Sequence, residues 1–476
     1  MTPQAAFERL NRAAGIAPLA MPSFDQCDQV YLPTPFAAAT AAASALGLVG
    51  AAAAEIWRFR GGDTQQIGVD LAAAAAFLSP DYRLNGMAVH PVLPRAAVTG
   101  FYQSADQRWL FLHGGLPHLK LRLLELLNAR DERASLIDAV ARWNALALED
   151  ALGFLGLTGT IVRSEAEWQA MVAGRLVSSP IVLKKIGDAP RAELGVSPAP
   201  LGGLKVLDLS RVIAGPVCSR LLAEHGAEVL AIAAERLAPV GDVGRVHGGG
   251  KRQALIDLAE PSGAEQLRRL ARDADVFVDG FRPGALAGLG FSPEALAHLR
   301  PGMIAVSISA YGLEGPWAGR RGWEENAVAV SGLAAEQGAF VAARRGTAVQ
   351  PERLPGAAVS TLTGVLAAAG AAAALLRRVR EGGSWQVQVS LAATANWLSS
   401  LGRIDAARVP EGFEPLAGLD QYRQSCETKD GWFEFLGPVV RMSKTPPVAG
   451  PLPDGIVSPH WASAHGEANA AEIQSA

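Results

Sequence analysis

One stretch of this chain occurs twice. Residues 51–78, AAAAEIWRFRGGDTQQIGVDLAAAAAFL, align without a gap to residues 371–398, AAAALLRRVREGGSWQVQVSLAATANWL, each pair 320 positions apart. Arg58 falls on Arg378, Arg60 on Arg380, Gly62 on Gly382 and Leu71 on Leu391. Such a repeat constrains the fold strongly, because both copies must be built as one kind of supersecondary unit. Each copy reads as an Ala-rich helix, a basic last turn that suits the negative end of the helix dipole, and a glycine stop. A strand then alternates Ile67, Val69, Leu71 in one copy and Val387, Val389, Leu391 in the other. The small residues let a second helix come close, so the repeat predicts a helix–helix interface.

The apolar stretches 35–57 and 356–376 belong to these helices. They are dominated by Ala and Gly, carry Thr and Ser, and start near prolines, which predicts buried helices rather than membrane spans. With 476 residues, 49% of them hydrophobic, two domains are expected. A formal charge of −3 gives no global attraction to nucleic acid or an anionic membrane, so neither is an expected partner. Any phosphate must meet a local site. Cys27, Cys218 and Cys426 are too scattered for a metal or redox cluster, which favours a reducing compartment. Glu8, Arg9 and Arg12 interrupt any leader-like pattern, and a cytoplasmic location is expected.

The expected fold is α/β: a doubly wound, mostly parallel nucleotide-binding sheet with a smaller α+β domain and long linker helices. Residues 1–80 hold the first repeat copy, 81–186 a small α+β domain and 187–203 a proline-rich linker. The small domain carries a strand candidate at Trp109–His113 and amphipathic helices at Leu119–Leu127 and Ala134–Leu146. Residues 204–345 alternate strand and helix, 346–400 contain the second copy, and 401–476 wrap the surface. Within the sheet, strands are expected at 204–209, 228–233, 254–258, 276–279 and 303–308, and a helix at Cys218–His225.

The first strand of the sheet runs into Arg211 and then Ala214, Gly215 and Pro216 before that helix. Backbone amides and the helix dipole there suit a phosphate-bearing ligand, although small residues also serve a tight turn. The spacing is not GxGxxG, which disfavours a dinucleotide. Arg245, Lys251, Arg252 and the Phe281–Arg282–Pro283 turn follow successive strands. Each basic residue alone reads as solvated surface; gathered on one sheet edge they make a phosphate-binding face. The eight histidines form no metal-ligand pattern and no GxSxG elbow occurs.

The run LGGLKVLDLSRVIAGPVCSRLLAEHGAEVLAI, then GDVGR, GKRQALIDL and DVFVDGFRPGALAGLGFSPEALAHLRPGMIAVSISAYGLEGPWAGRRGW, resembles the N-terminal half of the type III CoA-transferases. That family also contains acyl-CoA racemases and isomerases. The resemblance covers about residues 201–333 continuously; residues 98–185 and GPVVRMSKTPP resemble the family's small domain and closing segment more weakly. It implies CoA or acyl-CoA as substrate, no metal, and CoA contacts at Arg211, Ala214–Pro216, Arg245, Lys251, Arg252 and Phe281–Pro283.

The resemblance further implies a carboxylate nucleophile that attacks an acyl-CoA thioester and passes through a mixed anhydride to an enzyme thioester. Here RRGWEEN places Glu324 at the family's aspartate position, with Glu325 beside it. Trp323 stands where racemase-like members keep a histidine, and an indole cannot act as a base. The implied activity is transfer of CoA from an acyl-CoA to a carboxylic acid. The alternatives are a CoA-binding homologue without catalysis and an acyl-CoA isomerase or epimerase. An intertwined homodimer is the expected assembly; a single chain that imitates a dimer internally is the competing one.

Overall fold

The computed structural model describes residues 1–15, 20–79, 82–89, 96–237, 247–414, 418–453 and 455–462. The strands are β1 (Ser23–Asp25), β2 (Ile67–Asp70), β3 (Tyr82–Leu84), β4 (Met87–Val89), β5 (Gly100–Gln103), β6 (Trp109–Leu112), β7 (Gly159–Ile161), β8 (Val182–Gly187), β9 (Lys205–Leu209), β10 (Glu228–Ala233), β11 (Lys251–Leu255), β12 (Val276–Asp279), β13 (Ile304–Ser309), β14 (Ser384–Ser390), β15 (Arg423–Thr428), β16 (Gly431–Leu436) and β17 (Val440–Met442). The helices are α1 (Pro3–Ala13), α2 (Ala38–Phe59), α3 (Leu71–Leu78), α4 (Pro117–Leu127), α5 (Arg133–Val140), α6 (Ala145–Phe154), α7 (Glu165–Ala170), α8 (Val172–Leu176), α9 (Ala214–Glu224), α10 (Pro261–Asp273), α11 (Pro293–Leu299), α12 (Glu324–Val330), α13 (Leu333–Arg345), α14 (Ala358–Glu381) and α15 (Leu391–Ser400).

The large sheet has the order β11-β10-β9-β12-β13-β14-β8. Its first six strands are parallel and β8 closes the edge antiparallel to β14. This is the doubly wound order, whose reversal lies between β9 and β12; ligands in such sheets bind beyond the carboxyl ends of the strands at that crevice. Alternate residues feed opposite faces. Val206, Val276, Ile304 and Val387 pack under α9 and α14, whereas Leu207, Phe277 and Met303 pack on Leu267 of α10 and Leu296 of α11.

Both repeat helices lie in the interior and against each other. They are long and apolar enough to cross a membrane, yet the most apolar window of α2 is 83% buried inside the protein and that of α14 100%. The alternating strand expected in each copy is cut short. Asp70 accepts from Ala72 N and Ala73 N, and Ser390 accepts from Ala393 N, so Leu71 and Leu391 open helices instead of closing strands.

Residues 98–161 hold a separate core in which β5, β6 and β7 form a sheet against α4, α5 and α6. The single helix expected over 134–146 is two, because the Asn144 side chain caps α6. The segments after α3 and after α15 meet in one sheet, β15-β16-β3-β4.

Candidate active site

The crevice is built from Asp208 outward. Buried at the end of β9, it accepts hydrogen bonds from the Ser210 and Ser219 hydroxyls and from the Lys251 ammonium, the last at 3.2 Å. Lys251 also donates to the Pro216 carbonyl at 2.7 Å. Strand β11 begins at Lys251, three residues before the expected start at 254, and this register carries the side chain inside. As placed, Lys251 is a strut that fixes α9 to the sheet, with its charge spent on Asp208.

Val212 holds φ 71°, a left-handed conformation that a β-branched residue rarely adopts, and such strain gathers at functional loops. Helix α9 starts at Ala214, four residues before the sequence suggests, so Ala214, Gly215 and Pro216 are its first turn. Proline is tolerated there because the first helical N–H groups have no intrahelical acceptor. A side chain at Gly280 would meet Ser210 Cβ at 2.7 Å, so the loops after β9 and β12 touch at the switch point.

Arg211, in the first of these loops, is partly buried, and burial lowers its pKa. In the second, Phe281 packs on the core, Arg282 is exposed and Pro283 partly buried. Arg252 points elsewhere, donating to the His460 carbonyl at 2.9 Å and pairing with Glu228 at 3.4 Å. Arg245 lies outside the described residues.

Glu324 opens α12, partly buried. Its Oε1 accepts from Val359 N and its Oε2 from Ser360 N, both at 3.1 Å, so the carboxylate sits on the N-terminus of α14. Burial, then the charge of Glu325, pushes its pKa up to about 7; the amide bonds and Ser360 pull it down. Four residues along α14, a side chain at Gly364 would meet the Ala214 carbonyl oxygen at 2.4 Å. The loop expected to bind phosphate and the carboxylate therefore meet the same helix about 6 Å apart along its axis.

The small module completes the surroundings. His113, after β6, stacks on Trp323 with centroids 4.6 Å apart and planes at 14°. Its Nδ1 accepts from Gly115 N at 3.2 Å, which leaves the proton on Nε2 in the neutral ring. Asn326 joins α12 to the module through Phe111 O and Thr160 Oγ1, each 3.3 Å away. Arg353 lies over the Phe111 ring and 3.8 Å from Glu325.

Several residues escaped sequence reasoning. Asp279, ending β12, has its pKa pushed by burial to about 7. Arg321 has its pKa lowered by burial, then by the charges of Arg282 and of Arg122 on α4. Arg321 lies three residues before Glu324 and was within reach of motif reading, whereas nothing in the sequence of α4 distinguishes Arg122 from a solvated surface charge.

A seven-stranded, mostly parallel sheet in the doubly wound order defines an α/β protein. The family model of CoA-transferase family III matches residues 201–440, about half the chain, and the chain belongs to that family. Acetyl-coenzyme A transferase nodX of Hypoxylon pulicicidum is 30% identical over 338 residues, 66% of this chain and 56% of that protein. Human alpha-methylacyl-CoA racemase is 30% identical over 248 residues, 50% of this chain and 61% of the racemase. The chain thus spans about half to three fifths of these relatives. Among solved structures, Rv3272 of M. tuberculosis is similar at 30% identity over 43% of this chain and 58% of that one, with a TM-score of 0.38.

Proposed function

We propose that the protein moves CoA from an acyl-CoA to a carboxylic acid, with Glu324 as the covalent nucleophile. The observation that carries this is the Glu324 carboxyl seated on two amides of α14, about 6 Å along that helix from the point where the β9–α9 turn crosses it. The CoA would lie along the switch-point loops, against Arg211, the Ala214–Pro216 turn and Phe281–Pro283.

In this reading the Glu324 carboxylate attacks the thioester carbonyl, the C–S bond breaks, and CoA leaves as thiolate from a mixed anhydride. The thiolate then attacks the glutamyl carbonyl and releases the first acid. The acceptor carboxylate attacks the resulting enzyme thioester, and the returning thiolate takes the new acyl group, restoring Glu324. The Val359 and Ser360 amides serve twice: they hold the resting carboxylate, and they stabilise the oxyanion each time the glutamyl carbonyl is attacked. Trp323 offers no base for α-proton abstraction, which speaks against the histidine-based racemase route.

The assembly follows the same logic. The close pairing of Ala-rich helices expected between two subunits is made by α2 and α14 of one chain, and the small module lies on α12 of that chain. This supports the single-chain arrangement over the intertwined homodimer. Light scattering at low micromolar concentration tests it: about 50 kDa is expected, and about 100 kDa would restore the homodimer. Activity is tested by supplying an unlabelled acyl-CoA and an isotopically labelled acid; labelled acyl-CoA is the expected product, and none with any donor would refute transfer.

A further inference from the structure

The small module meets the first turn of α12 through two aromatic side chains, Phe111 on β6 and His113 just beyond it. The Trp323 ring stacks on His113, and the Arg353 guanidinium lies over Phe111, its Cζ 5.2 Å from the ring centroid. Phe111 is fully buried and met edge-on by Phe101 at 4.8 Å, so the platform under Arg353 is fixed. The loop that carries Arg353 is fixed as well: Pro351 and Leu354 are buried, and Glu352 N donates to the Ala334 carbonyl of α13 at 3.0 Å. This loop runs directly into the start of α14, whose Val359 and Ser360 amides hold Glu324. Arg353 is half-buried, yet the protein does not use its N–H fork. Among the described residues it makes no hydrogen bond, and its counter-charge there is Glu325 at 3.8 Å, too far for one. A guanidinium seated on an aromatic face and short of acceptors matches a planar carboxylate, which can take two parallel N–H bonds.

We propose that Arg353, on its Phe111 platform, is the seat for the carboxylate of the acid that exchanges with CoA. This rests on the transfer reading and says where its second substrate is held. Transfer needs such a seat twice. The first acid leaves as Glu324 takes up CoA, and the acceptor acid must then be presented to the glutamyl thioester from close by. Glu325 keeps the place between the two: it neutralises Arg353 loosely enough for a carboxylate that makes full hydrogen bonds to displace it. Because Phe111 belongs to the small module and Arg353 to the loop before α14, the seat exists only where the two are docked.

The test is a titration of wild type, Arg353→Gln and Glu325→Gln with isotopically labelled acetate and succinate, followed by NMR line broadening. Arg353→Gln is expected to weaken both acids by about tenfold or more, while affinity for CoA stays within about twofold. Glu325→Gln is expected to act in the opposite sense and tighten both acids, because the competing carboxylate is gone. In turnover, Arg353→Gln should raise the KM for the acid and leave that for the acyl-CoA unchanged. No acid binding by wild type, undiminished binding by Arg353→Gln, or weaker binding by Glu325→Gln would each overturn the seat. The transfer reading would still stand on the labelled acyl-CoA that wild type forms. Acid binding that depends on Arg353 in a protein that forms no labelled acyl-CoA would do the reverse, sparing the seat and refuting transfer.

Discussion

In the first repeat unit β2 lies between parallel β1 and antiparallel β17; in the second, β14 lies between parallel β13 and antiparallel β8. Each unit runs from a long small-residue helix through such a strand into a capped shorter helix. The surroundings differ. Strand β14 is part of the seven-stranded sheet, whereas β2 belongs to a sheet of three. The helix starts differ too. Glu324 occupies the first amides of α14, while at α2 the Ala37 cap offers no side chain, and the nearby Thr34 hydroxyl donates to Gln337 at 2.8 Å. Packing geometry is shared by both units, and candidate chemistry stands at one end only. Helix pairing needs small residues in register, but a nucleophile needs a particular partner element, and only α14 has α9 and α12 at its start.

The largest effect that separates the units is expected from Glu324→Gln. It keeps the shape and removes the proposed nucleophile, so turnover should fall by about 10³-fold or more, measured as labelled acyl-CoA formed. Thr34→Val, at the other helix start, should leave turnover within twofold and cost about 1 kcal/mol of stability.

A second pair uses positions 364 and 44, which lie just before the two repeat copies at the same spacing of 320 positions. Gly364→Ser drives a side chain into the Ala214 carbonyl. It should cost about 1–3 kcal/mol, and, by displacing the crevice loop, about 10²-fold in kcat/KM. Ser44 has room for its side chain and bonds the Thr40 carbonyl at 2.8 Å. Ser44→Gly should cost about 1 kcal/mol with kcat/KM unchanged. Comparable activity losses from the two would erase the distinction between the helix ends.

Arg378 and Arg58 sharpen the comparison at the far ends of the helices. Arg378 is buried and bonds Asp275 at 2.9 Å and the Gly302 carbonyl at 3.2 Å, whereas Arg58 is exposed and pairs with Glu55 three residues back. Arg378→Met should lower stability by about 3 kcal/mol in urea melts. Arg58→Met should change it by less than about 1 kcal/mol.

How much of this was legible follows from where the determinants lie. The sheet, its strands and the two long helices were readable, because periodicity and the repeat are local. Glu324 was singled out by its place three residues after a basic pair in RRGW, and its seat on the α14 amides is what the sequence did not show. The role of Lys251 was not: whether a lysine after GGG faces phosphate or Asp208 turns on a strand starting three residues early, and a one-residue change of register reverses a side chain. Arg122 was invisible for another reason. It bears on Arg321, far away in sequence, only once the small module docks on α12. The cap residues Asp70 and Ser390 were in plain view, but the alternation running through them read as continued strand.

Protonation separates the folded from the unfolded chain in another way. Glu324 and Asp279 are both pushed to about 7 in the folded protein, above the ordinary 4.5 and 3.8. Between about pH 4.5 and 7 the folded state therefore holds protons that the unfolded chain has released, and stability falls as pH rises through that window. Glu324→Gln should flatten the melting temperature over this range, and wild-type turnover should rise with ionisation near pH 7. A wild-type melting temperature that climbs from pH 5 to 8 would contradict the burial of these groups.

The central claim, that Glu324 becomes acylated and then carries CoA, is tested most directly by trapping. The protein is incubated with an acyl-CoA and hydroxylamine, which converts an activated glutamyl group to a hydroxamate, and the intact and digested protein is weighed. The account predicts one hydroxamate per chain, on the peptide containing Glu324, dependent on acyl-CoA and absent from Glu324→Gln. An unmodified Glu324 in protein that binds CoA would contradict it and leave a CoA-binding module. Release of α-hydrogen to solvent without CoA exchange would contradict it in favour of an isomerase.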